Sequence, residues 1–223
     1  MQRSLPSSGA WIGKPAILVG GGPSLKGFDW SILIDVPRVV VINRAFMDVP
    51  TADIFITEDE RFITRFAPQL REFAGVKVFA SPDDAYVPRV REAVPEIVIA
   101  RSRTKEFGWS ECIEDGLSIS SNSAIPALNL IDILGGSPIY LLGFDCRMEG
   151  ATISNYHADY PSDWAVNAGQ LDSFRSDFEN WASIHLRIRA CEVVNVVNPA
   201  CESAISCWPK ISHSEFANLL TAS

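Results

Sequence analysis

Seven short apolar runs, each followed by polar or helix-patterned sequence, leave this chain few ways to fold. They are Ala16–Gly20, Val39–Asn43, Asp53–Thr57, Lys77–Ala80, Glu96–Ala100, Ile139–Phe144 and Val193–Val197. Several lack polar–apolar alternation, as strands covered on both faces do. Helical periodicity fills the gaps at Asp59–Phe73, where Pro68 predicts a kink, and at Ser123–Leu134, stopped by Gly135 and Gly136. A third helix is predicted over Gln170–Ala190, with Leu171, Phe174, Phe178, Trp181, His185 and Ile188 along one stripe. Strands alternating with helices predict a mostly parallel sheet with helices on both faces. The expectation is an α/β fold, one Rossmann-like domain over residues 1–223, and a 47% hydrophobic composition supplies its core.

Charge and cysteine content narrow the function classes. A net charge of −8 disfavours duplex nucleic acid, whose binding rests on phosphate neutralisation by Lys and Arg. The five cysteines (Cys112, Cys146, Cys191, Cys201, Cys207) include no C-x-x-C pair, which argues for reduced thiols rather than a disulfide framework or a structural zinc site. The opening residues have no apolar signal-type core, and no run reaches membrane-span length. A soluble, cytoplasmic protein without a transmembrane segment is expected, and a homo-oligomer is compatible with this sequence.

In open parallel sheets, ligands sit beyond the carboxyl ends of the strands. The first run ends in Gly20-Gly21-Gly22-Pro23-Ser24. Three adjacent glycines either make a tight strand-to-helix turn or let a ligand approach bare backbone. With Pro23 at a first helical position, the free N–H groups would form an anion site. On that reading, valine at Gly21 or Gly22 abolishes nucleotide binding and leaves a folded protein. The loop matches neither G-x-G-x-x-G nor a P-loop. A second polar helix start, Ser120-Ser121-Asn122-Ser123, offers more groups than an N-cap needs. Asn43 with Arg44 behind it, the acidic Glu58-Asp59-Glu60, and Asp145 end three further runs. The acidic trio is read as a helix first turn rather than a metal site.

One segment, Asp145–Gly169, has neither period and is long for a connection, which marks it as a lid. It carries Tyr156, His157, Tyr160 and Trp164. Of the three histidines, His185 lies on a core stripe and His213 in a solvated tail. His157 is either a general base or a solvated loop residue.

The motifs "ILVGGGPSLKGFDWSIL", "VVVINRAF", "SISSNSAIPALNLIDILG" and "PIYLLGFD" resemble, in order, those of bacterial lipooligosaccharide sialyltransferases. They also resemble the related Maf-type proteins and hydroxymethylpterin pyrophosphokinases. Gly21 stands where the sialyltransferases have Asn, and Arg147 where they have a tyrosine. The resemblance implies a nucleotide-activated sugar donor, a CMP-sugar, held by Gly20, Gly21, Gly22 and Ser24 without a required cofactor. It implies Asn43 and Ser123 against donor sugar and phosphate, with Asn122 beside them. His157 is the expected base and Asp145 its rival, while Tyr156 and Arg147 support the leaving phosphate. The acceptor on this reading is a glycan. Two alternatives stay open: an ATP- and Mg²⁺-dependent diphosphate transferase, and a non-catalytic nucleotide-binding protein.

Overall fold

The computed structural model describes residues 4–81, 83–101, 110–148, 155–164, 166–188 and 192–221. Eight strands form one sheet: β1 (Ala16–Val19), β2 (Val39–Ile42), β3 (Ile54–Thr57), β4 (Val76–Ser81), β5 (Val98–Arg101), β6 (Ile139–Leu142), β7 (Val193–Val197) and β8 (Lys210–Ser212). All neighbours are parallel, in the order β5-β4-β3-β2-β1-β6-β7-β8. This is the doubly wound, Rossmann-like arrangement. Ile17 of β1 stands between Val39 of β2 and Tyr140 of β6.

The absence of alternation in the strands has a direct structural cause. Leu18, Val40, Ile42, Ile54 and Ile56 point into one apolar layer, and Ile17, Val19, Val39, Val41 and Phe55 into the other. Helix α4 (Ala124–Leu134) and Phe178 and Trp181 of α5 (Ala168–Ile188) cover the first layer. The second is covered by α1 (Glu60–Arg65), α2 (Ala67–Glu72), α3 (Val87–Ala93) and α6 (His213–Thr221). The Asp59–Phe73 pattern divides at Phe66, with Pro68 in the first turn of α2. Proline suits that turn because its missing N–H would have no helical partner there.

Every residue of α4 is buried, so its sequence is apolar all round rather than striped. Its one buried amide, Asn129, accepts from the Ser118 N–H at 2.8 Å and donates to the Ser110 carbonyl at 2.9 Å. Asn129→Leu strands both backbone groups inside the protein, at about 1–3 kcal/mol each. A loss of about 3 kcal/mol in urea unfolding is therefore expected, with no change in sheet content by circular dichroism.

Three elements escape the sequence reading: α3, the three-residue β8, and α6. His213 is consequently misread as solvated. It opens α6 with its ring edge-on to Phe28 at 5.0 Å, half-buried, and burial lowers its pKa. Cys112, Cys146, Cys201 and Cys207 are free thiols, while Cys191 and the side chain of His185 lie outside the described residues.

Candidate functional site

The strand order changes direction between β1 and β6, so the loops leaving their carboxyl ends diverge and open a crevice. A cavity of about 580 Å³ occupies it. Of the expected residues, Gly21, Gly22, Asn43, Asn122, Ser123, Asp145 and Arg147 line this cavity. Gly20, Ser24, Tyr156 and His157 do not.

At Gly20 and Gly22 the loop makes the tight turn that the sequence left open beside a ligand site, while Gly21 and Gly22 also line the cavity. A Cβ on Gly22 would lie 2.3 Å from Asp145 Oδ2 and 2.7 Å from the Gly143 carbonyl. A Cβ on Gly20 would meet the Gly143 carbonyl and the Phe144 ring, both at 2.9 Å. These two glycines admit the chain's own β6 loop. Three of the N–H groups expected to receive an anion are already engaged: Gly20 donates to Leu142, Gly22 to Gly143, and Ser24 to Asp145 Oδ2 at 2.8 Å. The Pro23–Leu25 turn is a single 3₁₀ turn whose start is filled by a carboxylate from within the protein. Gly21 alone has room, meeting only the tip of Asn155 at 3.2 Å.

Asp145 is placed by two left-handed residues. Gly143 (φ +73°) and Cys146 (φ +47°) bend the loop after β6 back toward the loop after β1. The Ser203 hydroxyl and the Ala204 amide hold the Phe144 and Asp145 carbonyls. The Asp145 residue is 1% exposed, yet its side chain lines the cavity, and Oδ1 has no partner among the described residues. Desolvation raises its pKa from the ordinary 3.8, opposed by the Ser24 amide, the Ser24 hydroxyl and the Arg147 charge. A carboxylate with one oxygen fixed and the other unengaged is a suitable proton acceptor. Arg147 is half-exposed at the rim, where Nη1 donates to the Glu202 carbonyl at 2.7 Å.

A polar network closes the opposite wall. Thr57, at the end of β3, donates to Asn43 Oδ1 at 2.7 Å and lies 3.4 Å from the Ser123 hydroxyl. Ser123 occupies the N-cap position of α4 without capping it, because its hydroxyl accepts the Glu58 N–H at 3.0 Å. Asn122 supplies the cap instead, accepting the Ala124 N–H at 3.0 Å. Asp177 of α5 gathers the start of this segment, accepting from Ser121 N–H, Ser121 Oγ and Asn122 Nδ2 at 2.6–3.2 Å. Nothing in the sequence singles out Asp177 for this task, since it is an ordinary acidic residue on a long helix.

The suspected lid is described at residues 145–148, 155–164 and 166–169; its remaining positions lie outside the described residues. Its 155–164 stretch is fastened to the turn after β2. Arg44 Nε donates to Asp159 at 2.6 Å, its Nη1 pairs with Asp48, and the Tyr156 hydroxyl also donates to Asp48. The Tyr156 amide reaches the Gly21 carbonyl at 3.1 Å. Tyr160 and Trp164 face the cavity.

His157 is packed between Tyr156 and Tyr160 with its ring perpendicular to both, and its side chain is 6% exposed. Its Nδ1 accepts the Asp159 N–H at 3.3 Å. Burial, aided by the Arg44 charge and opposed by Asp159, lowers its pKa to about 4. It is neither a solvated loop residue nor a cavity-lining base. A base whose folded pKa lies below its unfolded value of about 6.5 makes the unfolded state bind more protons between those limits. Stability is therefore expected to be full above pH 6.5 and to fall as pH drops toward 4. Urea unfolding of His157→Phe should show a flatter stability profile across that window.

Among the described residues no cluster of three His, Cys, Asp or Glu side chains could hold a metal ion, and no helix is long and apolar enough to cross a membrane. No protein-family model matches the chain, and no curated protein matches it. A solved structure described as the crystal structure of GsuK bound to ADP aligns with 93% of this chain and 68% of its own. Identity is 9% and the TM-score 0.21, a likeness that bears on neither fold nor function.

Proposed function

We propose that this chain is a glycosyltransferase-like enzyme that binds a nucleotide-activated sugar, a CMP-sugar, in the cavity between β1 and β6. The observation that carries the reading is Asp145 at the switch point, with Oδ2 fixed by the Ser24 amide and Oδ1 unengaged. The motif resemblance to sialyltransferases supports the same class of donor. In this reading Asn43, Asn122 and Ser123 meet the donor through their polar groups, and Gly21 lets it approach the backbone. Arg147 supplies the bidentate guanidinium that a leaving phosphate requires. Asp145 takes the proton of the acceptor hydroxyl, the role the sequence assigned first to His157. Buried neutral between two tyrosines, His157 holds the 155–164 stretch in place.

Thermal unfolding with CMP, CDP, UDP, GDP and ATP, each with and without Mg²⁺, tests the proposal. CMP at about 100 times its dissociation constant adds about 2.7 kcal/mol to stability. The expected result is a raised Tm with CMP that is unchanged by chelation. Stabilisation by ATP only with Mg²⁺ would instead favour a diphosphate transferase.

A further inference from the structure

Glu58 takes no part in the mechanism above, although it is the first residue beyond β3 and lines the cavity. Its Oε1 is buried and has no partner among the described residues. The backbone amide of Ser120 bonds its carboxyl, and the charged group facing it is another carboxylate, Asp177. Its chain neighbours bring it no cation. Arg61 pairs with Asp59 at 3.0 Å, and Arg89 with Glu60 at 2.9 Å.

The two facing carboxyls are unequally supported. Asp177 accepts three hydrogen bonds from Ser121 and Asn122. Glu58 has one backbone donor and an unengaged, buried oxygen, so its charge is the more poorly supported of the two. Burial first, and Asp177 next, push its pKa well above the ordinary glutamate value. A protonated carboxyl is a hydrogen-bond donor, which a carboxylate is not.

We propose that Glu58 is the proton donor of this cavity, its carboxylic acid protonating the leaving phosphate as Asp145 deprotonates the acceptor. This rests on the transferase reading. The bond between sugar carbon and phosphate oxygen breaks, and that carbon bonds to the acceptor oxygen. The acceptor proton goes to Asp145 and the Glu58 proton to the departing phosphate. No oxidant or further reactant is required, and exchange with water restores both groups.

The protonation state is tested without any ligand. Carbon-13 NMR of the free protein, labelled at glutamate carboxyls and assigned with Glu58→Gln, follows each titration. Glu58 should titrate well above the exposed glutamates, and Asp177→Asn should move it downward by removing the like charge. Titration together with the exposed glutamates near pH 4.3 overturns the proposal whatever the enzyme does. Turnover of a CMP-sugar with water as acceptor then tests the role. Glu58→Gln keeps a neutral donor of similar shape, so CMP binding should persist. Turnover should fall by about 100-fold or more, and the loss of rate at high pH should disappear. A variant with normal turnover and an unchanged high-pH limb would show that Glu58 gives no proton. Should CMP fail to bind the wild type, the transferase reading fails while the titration still decides the state of Glu58.

Discussion

Asp145→Asn is expected to keep CMP binding and to lose two to four orders of magnitude in turnover, the usual worth of a positioned base. Asparagine preserves the shape of the side chain and still offers an oxygen to the Ser24 amide. It cannot take a proton. The wild-type rate should rise with pH through an inflexion above 3.8, because burial raises the pKa of this carboxyl, and the variant should lack that limb. Stability separates this loss from damage to the fold. A carboxyl whose folded pKa exceeds its unfolded value binds more protons when folded, so its ionisation costs stability as pH rises. Removing the charge at pH 7 should therefore not lower Tm, while activity collapses. Near-normal turnover in Asp145→Asn, measured by CMP release, would take the base role away from this residue.

The second large effect falls on folding. Gly22→Val forces a branched side chain against Asp145 Oδ2 and the Gly143 carbonyl, where even a Cβ would stand 2.3 and 2.7 Å away. Both obstacles belong to a loop whose carbonyls are themselves tied down, so neither can retreat cheaply. Overpacking of about 1–3 kcal/mol adds to the loss of a charge-assisted Ser24–Asp145 bond of about 1.5–3 kcal/mol. Urea unfolding should show a loss of about 3 kcal/mol or more. For a chain of this size that corresponds to a fall of roughly 6–12 °C in Tm. Gly21→Ala is the contrasting variant: only the flexible tip of Asn155 is near, so it should cost less than about 1 kcal/mol while weakening CMP. Equal stability of the Gly22→Val protein and the wild type would contradict the packing described here.

The glycine run shows where sequence reading stops. Three glycines announce a close approach of backbone, and the approach is there. What comes close at Gly20 and Gly22 is the loop after β6, more than a hundred residues further along. No local pattern carries that pairing, because it depends on β1 and β6 lying side by side in the sheet. The strands themselves were legible because burial on both faces leaves an unbroken apolar run. Strand β8 was not, since a three-residue edge strand has too few positions to show a pattern. At the site, residues at strand ends and at a helix start could be named in advance: Asn43, Asp145 and Ser123 all reach the cavity. His157 was named for its chemistry and its place in the suspected lid. It is packed between Tyr156 and Tyr160 and does not line the cavity. Asp177 and Glu58 gain their meaning only from facing each other across two elements distant in sequence.

The crevice between β1 and β6 is the proposed seat of the nucleotide, and amide chemical-shift mapping tests that proposal most directly. Titrating CMP into nitrogen-15-labelled protein should shift the backbone signals of Gly21, Asn43, Ser123 and Asp145 together, with a common dissociation constant. Exposed residues that do not line the cavity, such as Ile12 and Leu219, should stay in place. Saturating shifts clustered elsewhere, or none at millimolar CMP, would contradict it.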